Sequence, residues 1–280
     1  MAIRVAMIGF GEAAMAFAPG LSASLTAFDI RPDRPSLANV QSMGSGKDAL
    51  ADASAALSLV IADQALKAAT DAAACLEPGA LWFDMNSVAP DTKIAASRVI
   101  EAAGGRYVDV AVMAPVHPAL TAVPLLVSGP HAGEGAAVLR AMGFSKVRIV
   151  EGAVGRASSI KMIRSVMVKG VEALTAECVL AADRAGVLGE VIASLDASPP
   201  PGDWAARADY NLDRMLEHGL RRAAEMEEVV KTLDALGTGS AMTRGTVVRQ
   251  REIGALGAAS PEGLSAKLEL LDPNRKAQAA

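Results

Sequence analysis

The chain predicts an α/β fold: a doubly wound, mainly parallel N-terminal sheet, then an all-α region, the two joined by one long helix. Three observations predict it. Ile3-Arg-Val-Ala-Met-Ile-Gly9-Phe-Gly11-Glu-Ala13-Ala14 is an apolar strand that runs into G-x-G-x-x-A and then into a helical pattern. Short apolar runs alternate with Ala-rich helical stretches to about residue 150, which implies crossover connections and parallel pairing. Beyond that point the alternation stops, and residues 159–185 hold no Pro and a single glycine, Gly170.

The opening motif carries a physical reason at each position. Gly9 lets the chain turn tightly, Gly11 lets backbone approach a pyrophosphate, and small Ala14 lets the helix pack on the strand. Twenty positions after Gly9, the run Leu25-Thr-Ala-Phe-Asp29 ends in a carboxylate suited to an adenosine ribose. The predicted cofactor contacts are Gly9, Phe10, Gly11, Glu12, Ala13 and Asp29, with Arg31 close by. This is a Rossmann arrangement, and it predicts NAD, with NADP possible because of Arg31. The polar breaks at Gly9, Gly11 and Glu12 argue against a secretory leader.

Further strands are predicted at residues 57–61, 81–85, 107–112, 125–127 and 147–150, with helices at 65–75, 92–103 and 133–142 between them. Gly152-Ala-Val-Gly155 makes a turn, and Ser158 or Ser159 can cap the long helix that follows. That helix would be ~40 Å long at 1.5 Å per residue, too long for a crossover. Ser198-Pro-Pro-Pro-Gly202 reads as a linker. Helical patterns follow at 206–236 and 240–253, and the polar tail from Ser260 is expected to fray. The domains are therefore set at residues 1–155 and 156–280.

Composition narrows the function. A formal net charge of −4 without a long basic run argues against nucleic acid or an anionic membrane as partner. No apolar stretch reaches the ~18 residues of a membrane span. Cys75 and Cys178, far apart and outside any C-x-x-C, suggest neither a disulfide framework nor a metal site, and fit a cytoplasmic protein. Val166, Leu174, Val179 and Leu180 on one helix, and Leu212, Met215, Met226 and Val229 on another, exceed what one small bundle hides. They predict a homodimer through the helical region.

The chemical candidates lie where strand ends and the long helix begin. Asn86 and Ser87 follow the strand closing at Asp84; two readings stand, a cofactor contact or an ordinary turn before the next helix. Lys161 sits two turns into the long helix, sharing a face with Ser158, Arg164 and Ser165. In a partly apolar cleft it would transfer protons; on an open surface it would snorkel into water. His117, in Pro115-Val-His117-Pro118, is a secondary candidate to meet substrate. His218, Arg221, Arg222 and Glu225 share a helical face that either binds an anion or forms a solvated set of ion pairs.

These residues resemble the β-hydroxyacid dehydrogenase family, which includes 6-phosphogluconate and 3-hydroxyisobutyrate dehydrogenases. Four stretches carry the resemblance: the fingerprint at residues 9–29; Phe83-Asp-Met-Asn86-Ser87-Val-Ala-Pro90, similar to D-x-S-T-x-x-P beside the nicotinamide; Tyr107-Val-Asp109-Val-Ala-Val112 at the substrate loop; and Gly152-Ala-Val-Gly155-Arg-Ala-Ser-Ser-Ile-Lys161, similar to G-x-V-G-x-G-x-x-x-K. The resemblance implies that Lys161 is the general acid/base, that the substrate is a small molecule, and that the chain dimerises. Departures also matter. Ser165 stands where the family often has Asn, and Met113-Ala114-Pro115 replaces the Ser-Gly-Gly that grips a substrate anion. Pro115 has no N–H to offer, so a bulkier or less anionic substrate is expected. The last third is similar to a subgroup of phosphogluconate-dehydrogenase-like oxidoreductases, through Tyr210-Asn-Leu-Asp-Arg-Met215 and the His218–Met226 segment, which places His218 and Arg222 near substrate. The reading is an NAD(P)-dependent dehydrogenase or reductase acting on CH–OH, without a metal. Its rivals are an imine reductase on the same scaffold and a non-catalytic dinucleotide sensor.

Overall fold

Continuous burial along the first strands shows that the sheet is covered on both faces. In a computed structural model describing residues 3–31, 33, 37–198 and 202–272, β1 (Arg4–Ile8) has Val5 through Ile8 all buried. A strand hidden on both faces reads as a continuous apolar run, and this one does. Met7, Phe17, Leu57, Phe83 and Leu139 form the core on one face; Ala6, Leu50, Trp82, Ile100 and Tyr107 form that on the other. Neighbours such as Trp82 and Phe83 therefore point to opposite layers, as the two-residue period requires.

The elements after β1 are α1 (Glu12–Phe17), β2 (Ser24–Phe28), β3 (Val40–Ser42), α2 (Gly46–Leu50), β4 (Ala55–Ser58), α3 (Ala65–Ala73), β5 (Leu81–Asp84), α4 (Pro90–Ala102), β6 (Arg106–Val112), β7 (Leu125–Ser128), α5 (Ala132–Ala141) and β8 (Val147–Ile149). The strands make one eight-stranded sheet in the order β3-β2-β1-β4-β5-β6-β7-β8. Among the described residues all strand pairings are parallel except β6 with β7. The order reverses beside β1, where β2 lies on one side and β4 on the other. Ligands of such sheets bind at that point, beyond the carboxyl ends of the strands.

The helices that follow are α6 (Arg156–Arg184), α7 (Leu188–Asp196), α8 (Trp204–Ala235), α9 (Ala241–Gly254) and α10 (Leu264–Leu271). The chain forms two compact units, Met1–Ile163 and Arg164–Ala280. The fold is the predicted one: a Rossmann-type sheet, then helices. The helical unit has its own core, including Ala176, Val179, Leu212, Met215, Ile253 and Leu268. Its tightest crossing is α8 on α9. A Cβ on Gly219 would lie 2.5 Å from Gln250 O and 2.7 Å from Gly254 Cα, so only glycines allow the backbones this close.

Several expectations need correction. The strand expected at 57–61 is β4 and ends at Ser58, because the chain turns at Leu59 to pass over Gly9. β3 and α2 were not foreseen; both are short, and β3 buries only Val40. The region expected to fray contains α10, anchored by fully buried Leu268 and by Lys267, which donates to Asp209 at 2.8 Å. Residues 199–201 of the linker and 273–280 of the tail lie outside the described residues. Of the apolar residues that motivated pairing, Val179, Leu212, Met215, Met226 and Val229 are buried in this chain, whereas Leu174 is 55 % exposed. Met167, Leu220, Met242, Val248 and Leu256 are among the exposed apolar side chains nearby in sequence. Among the described residues, no helix is long and apolar enough to cross a membrane.

Candidate functional site

The fingerprint loop is held by its own carboxylate. Gly9 has φ +89°, and a Cβ there would stand 2.7 Å from Leu59 O. Its N–H donates to Phe28 O at 2.9 Å, and the next N–H, of Phe10, donates to Asp29 Oδ2 at 2.7 Å. Asp29 Oδ1 accepts the N–H of Arg31 at 2.8 Å. Asp29 thus ties the ends of β1 and β2 together while keeping its charge at the rim of the loop. Phe10 serves through its backbone, since its ring is buried in the core; Glu12 and Arg31 are exposed, and Ala13 is half-buried.

A cavity of about 600 Å³ opens on this loop. Gly9, Gly11, Asp29 and Arg31 line it on the loop, Phe28, Leu50, Val60 and Ile61 are among its apolar walls, and Lys47, Gln64, Lys67 and Asp71 add polar groups. An apolar slot with a carboxylate and glycine backbone at one end has the chemistry an adenosine requires.

A buried polar row crosses the sheet beside this loop. Ser58, Asp84, Asp109 and Ser128 are register partners on β4, β5, β6 and β7, and all are fully buried. Asp84 Oδ1 accepts the Asn86 N–H at 3.0 Å and Asn86 Nδ2 at 2.8 Å, and Nδ2 also reaches Ser58 Oγ at 2.9 Å. Asn86 Oδ1 is buried without a hydrogen-bond partner among the described residues. Tyr107 donates its hydroxyl to Asp84 Oδ2 at 2.6 Å. Burial, and then the Asp84 charge, push its phenol well above the usual range, so it stays a donor.

The same row caps α6. Asp109 Oδ2 accepts the N–H groups of Gly155 at 3.0 Å and Ser158 at 3.3 Å, and Ser128 Oγ accepts that of Ala157 at 2.9 Å. A carboxylate at the first turn satisfies otherwise orphaned donors and matches the helix dipole. One turn beyond Ser158, half-buried Lys161 donates from Nζ to Ser87 Oγ. The structure therefore joins two residues 74 apart in sequence at the carboxyl end of β5.

The remaining candidates lie in different settings. Met113 donates its N–H to Pro124 O at 2.9 Å, while Ala114, Pro115 and His117 are exposed. In the helical unit, Ser165 is buried and Arg222 makes a buried two-pronged pair with Glu172, which also accepts Gln250 Nε2 at 2.8 Å. Arg221 pairs with Glu225 at 2.8 Å, and Lys169 pairs with the same carboxylate. Of the two readings of this face, the geometry favours ion pairs, though buried ones rather than solvated ones for Arg222 and Lys169. Burial lowers the Lys169 pKa, with Glu225 pulling the other way. His218 is half-buried and lines a separate cavity of about 500 Å³ at the α8–α9 crossing. Among the described residues, no cluster of His, Cys, Asp and Glu could hold a metal ion.

Sequence reasoning missed Lys93. It lies on α4, fully buried, with Nζ 2.6 Å from Asp84 O and 2.9 Å from Asp84 Oδ1. A signal existed: Lys93, Ala96, Ser97 and Ile100 share one helical face, and a lysine in a face turned to the sheet needs a buried anion.

Residues 182–253 match a family model described as a domain of unknown function, DUF1932. A conserved hypothetical protein from Sinorhizobium meliloti is 37 % identical, with 97 % of this chain and 96 % of that one covered and a TM-score of 0.75. A conserved protein of unknown function, described as structurally similar to 3-hydroxyacid dehydrogenases, is 28 % identical over 92 % of this chain and all of that one, with a TM-score of 0.68. At the level of fold alone, 3-hydroxyisobutyrate dehydrogenase from Mycobacterium tuberculosis is 17 % identical, covering 97 % and 100 % of the two chains at a TM-score of 0.72. No curated protein matches the chain.

Proposed function

The chain belongs to the 3-hydroxyisobutyrate dehydrogenase-like β-hydroxyacid dehydrogenase family, and on that premise we propose an oxidoreductase that uses a nicotinamide dinucleotide and acts on a carbon bearing a hydroxyl or carbonyl. The observation that carries this reading is Lys161, poised on Ser87 at the carboxyl end of β5, two strands along the sheet from β1 and its Gly9 loop. Two features fit the cofactor. The cavity on the Gly9–Gly11 loop carries the Asp29 carboxylate, and buried Asn86 Oδ1 awaits a donor that a carboxamide could supply.

A bound nicotinamide would supply or accept a hydride. The side chains then have proton work to do. Lys161 gives a proton to the substrate oxygen in reduction and takes it back in oxidation, a role worth ~10²–10⁴ in rate. Ser87 orients the ammonium by accepting from it. Substrate anions find little grip on the Met113–Pro115 stretch, since the Met113 N–H is engaged and Pro115 has none. A bulkier or less anionic substrate fits better. Solved structures with this fold include hydroxyacid dehydrogenases and imine reductases. Lys161 favours the C–O substrate over C=N, because it provides the acid that a carbonyl oxygen needs.

NAD is preferred over NADP on this reading. The two backbone donors fix the Asp29 carboxylate at the ribose end, where it repels a 2′-phosphate. The exposed apolar side chains Met167, Leu174 and Val248 support a homodimer through the helical unit, and two unbridged cysteines fit a cytoplasmic setting.

Fluorescence titration with both reduced nucleotides, followed by a dehydrogenase screen over 3-hydroxy acids, β-hydroxy amino acids and aryl alcohols, tests the proposal. NADH should bind more tightly, and one class should turn over. Failure to bind either nucleotide would remove the oxidoreductase reading, and tighter NADPH binding would remove the Asp29 argument.

A further inference from the structure

Two carboxylates on adjacent strands, both fully buried and in register, cannot both stay charged unless something compensates them. Lys93 is placed to do so. Its Nζ lies 2.9 Å from Asp84 Oδ1, 2.6 Å from Asp84 O, 3.5 Å from Val110 O and 3.6 Å from Asp109 Oδ1. Asp109 Oδ1 has no hydrogen bond among the described residues, so this cation is the compensation it has.

The contacts form a closed circuit. From Lys93 one branch runs through Asp84, whose Oδ1 accepts the Asn86 N–H and so sets the turn that delivers Ser87. The other runs through Asp109, whose Oδ2 holds the first turn of α6 at Gly155 and Ser158. The branches meet again where Lys161 donates to Ser87. We propose that Lys93 is a positioning residue: by bridging Asp84 and Asp109 it fixes the Ser87 turn against the head of α6 and so sets the place and charge environment of Lys161. The inference rests on the assignment of Lys161 made above.

The circuit explains why a lysine stands on the sheet-facing side of α4. A methionine would fill much the same volume, but it would bridge nothing and would leave the two carboxylates facing each other. Tyr107 and Ser128 hold the outer oxygens and add no positive charge.

The test follows the Lys161 ammonium by nitrogen-15 NMR over a pH titration, its signal identified through Lys161→Arg, with circular dichroism to verify folding. Lys93→Met should shift the Lys161 midpoint by about half a unit or more, because the Ser87 turn and the head of α6 lose their shared anchor and the charges beside Lys161 rearrange. Lys93→Arg should return it toward the wild-type value. Asp109→Asn keeps an oxygen for the Gly155 and Ser158 N–H groups but removes the charge, and should lower the midpoint. An unchanged midpoint in folded Lys93→Met overturns the proposal; should that variant fail to fold, an unchanged midpoint in Asp109→Asn overturns it equally. The two assignments separate cleanly. A responsive Lys161 whose alanine variant still turns over at the wild-type rate would keep the positioning and remove the catalytic role. A silent Lys161 whose alanine variant loses turnover would do the reverse.

Discussion

Gly9 and Gly11 belong to one motif yet should fail in different ways when each is changed to alanine. Gly9 sits at φ +89°, a region that costs an L-residue about 1–2 kcal/mol. The added methyl would also meet Leu59 O at 2.7 Å, Leu59 C at 2.8 Å and Val60 Cγ1 at 2.9 Å. The backbone there cannot yield easily, since the Leu59 N–H is bonded to Ile8 O at 2.8 Å. Overpacking of this kind costs about 1–3 kcal/mol, so Gly9→Ala should lose roughly 2–5 kcal/mol. That is a large part of an ordinary stability of about 5–15 kcal/mol. Gly11 has φ −91° and ψ −158°, extended backbone that alanine adopts freely. Gly11→Ala should therefore unfold within about 0.5 kcal/mol of wild type, as substitutions free of strain usually do. It should nevertheless bind NADH at least tenfold more weakly, by about 1.4 kcal/mol, because its methyl meets the pyrophosphate. Urea denaturation and NADH fluorescence titration measure both quantities. A Gly9→Ala variant as stable as wild type, or a Gly11→Ala variant with undiminished affinity, would refute this division of roles.

The helix crossing and the buried phenol give two further expectations. Gly219→Ala should lower the thermal midpoint through a cost of about 1–3 kcal/mol or more, since the methyl meets α9 backbone. Gly245→Ala, on exposed α9 surface with nothing within 4 Å, should instead gain about 0.5–1 kcal/mol; equal behaviour of the two would contradict the crossing. For Tyr107, the folded pKa is raised above the unfolded value of 10.0, so its contribution is fully present below that pH and is lost as pH rises through the folded pKa. Tyr107→Phe should cost about 1.5–3 kcal/mol near neutrality, through the bond lost to Asp84, and should flatten the alkaline fall in stability above pH 10.0 measured by urea denaturation.

Local chemistry was legible in the sequence and non-local register was not. Gly9, Gly11 and Asp29 announce themselves because a tight turn and a carboxylate at the next strand end are matters of spacing along one stretch of chain. The Pro-free run from Ser159 likewise announces α6, which extends from Arg156 to Arg184. The row of Ser58, Asp84, Asp109 and Ser128 depends on how four strands align, which no single stretch encodes. Lys93 looks like a surface lysine until that row is known. Arg222 looked free for an anion because its partner Glu172 lies 50 residues away on another helix. β3 and α2 are too short and too exposed to leave a periodic signature.

The central claim is that Lys161 moves a proton while hydride passes between nicotinamide and a carbon bearing oxygen. Its most direct test uses reduced nucleotide carrying deuterium at both C4 positions, with the carbonyl form of whichever substrate class turns over, in wild type and Lys161→Ala. The account predicts deuterium on the product carbon in the wild-type reaction, and a rate ~10²–10⁴ lower in the variant with NADH affinity nearly unchanged. Product without deuterium, or a Lys161→Ala enzyme that keeps the wild-type rate, would contradict it.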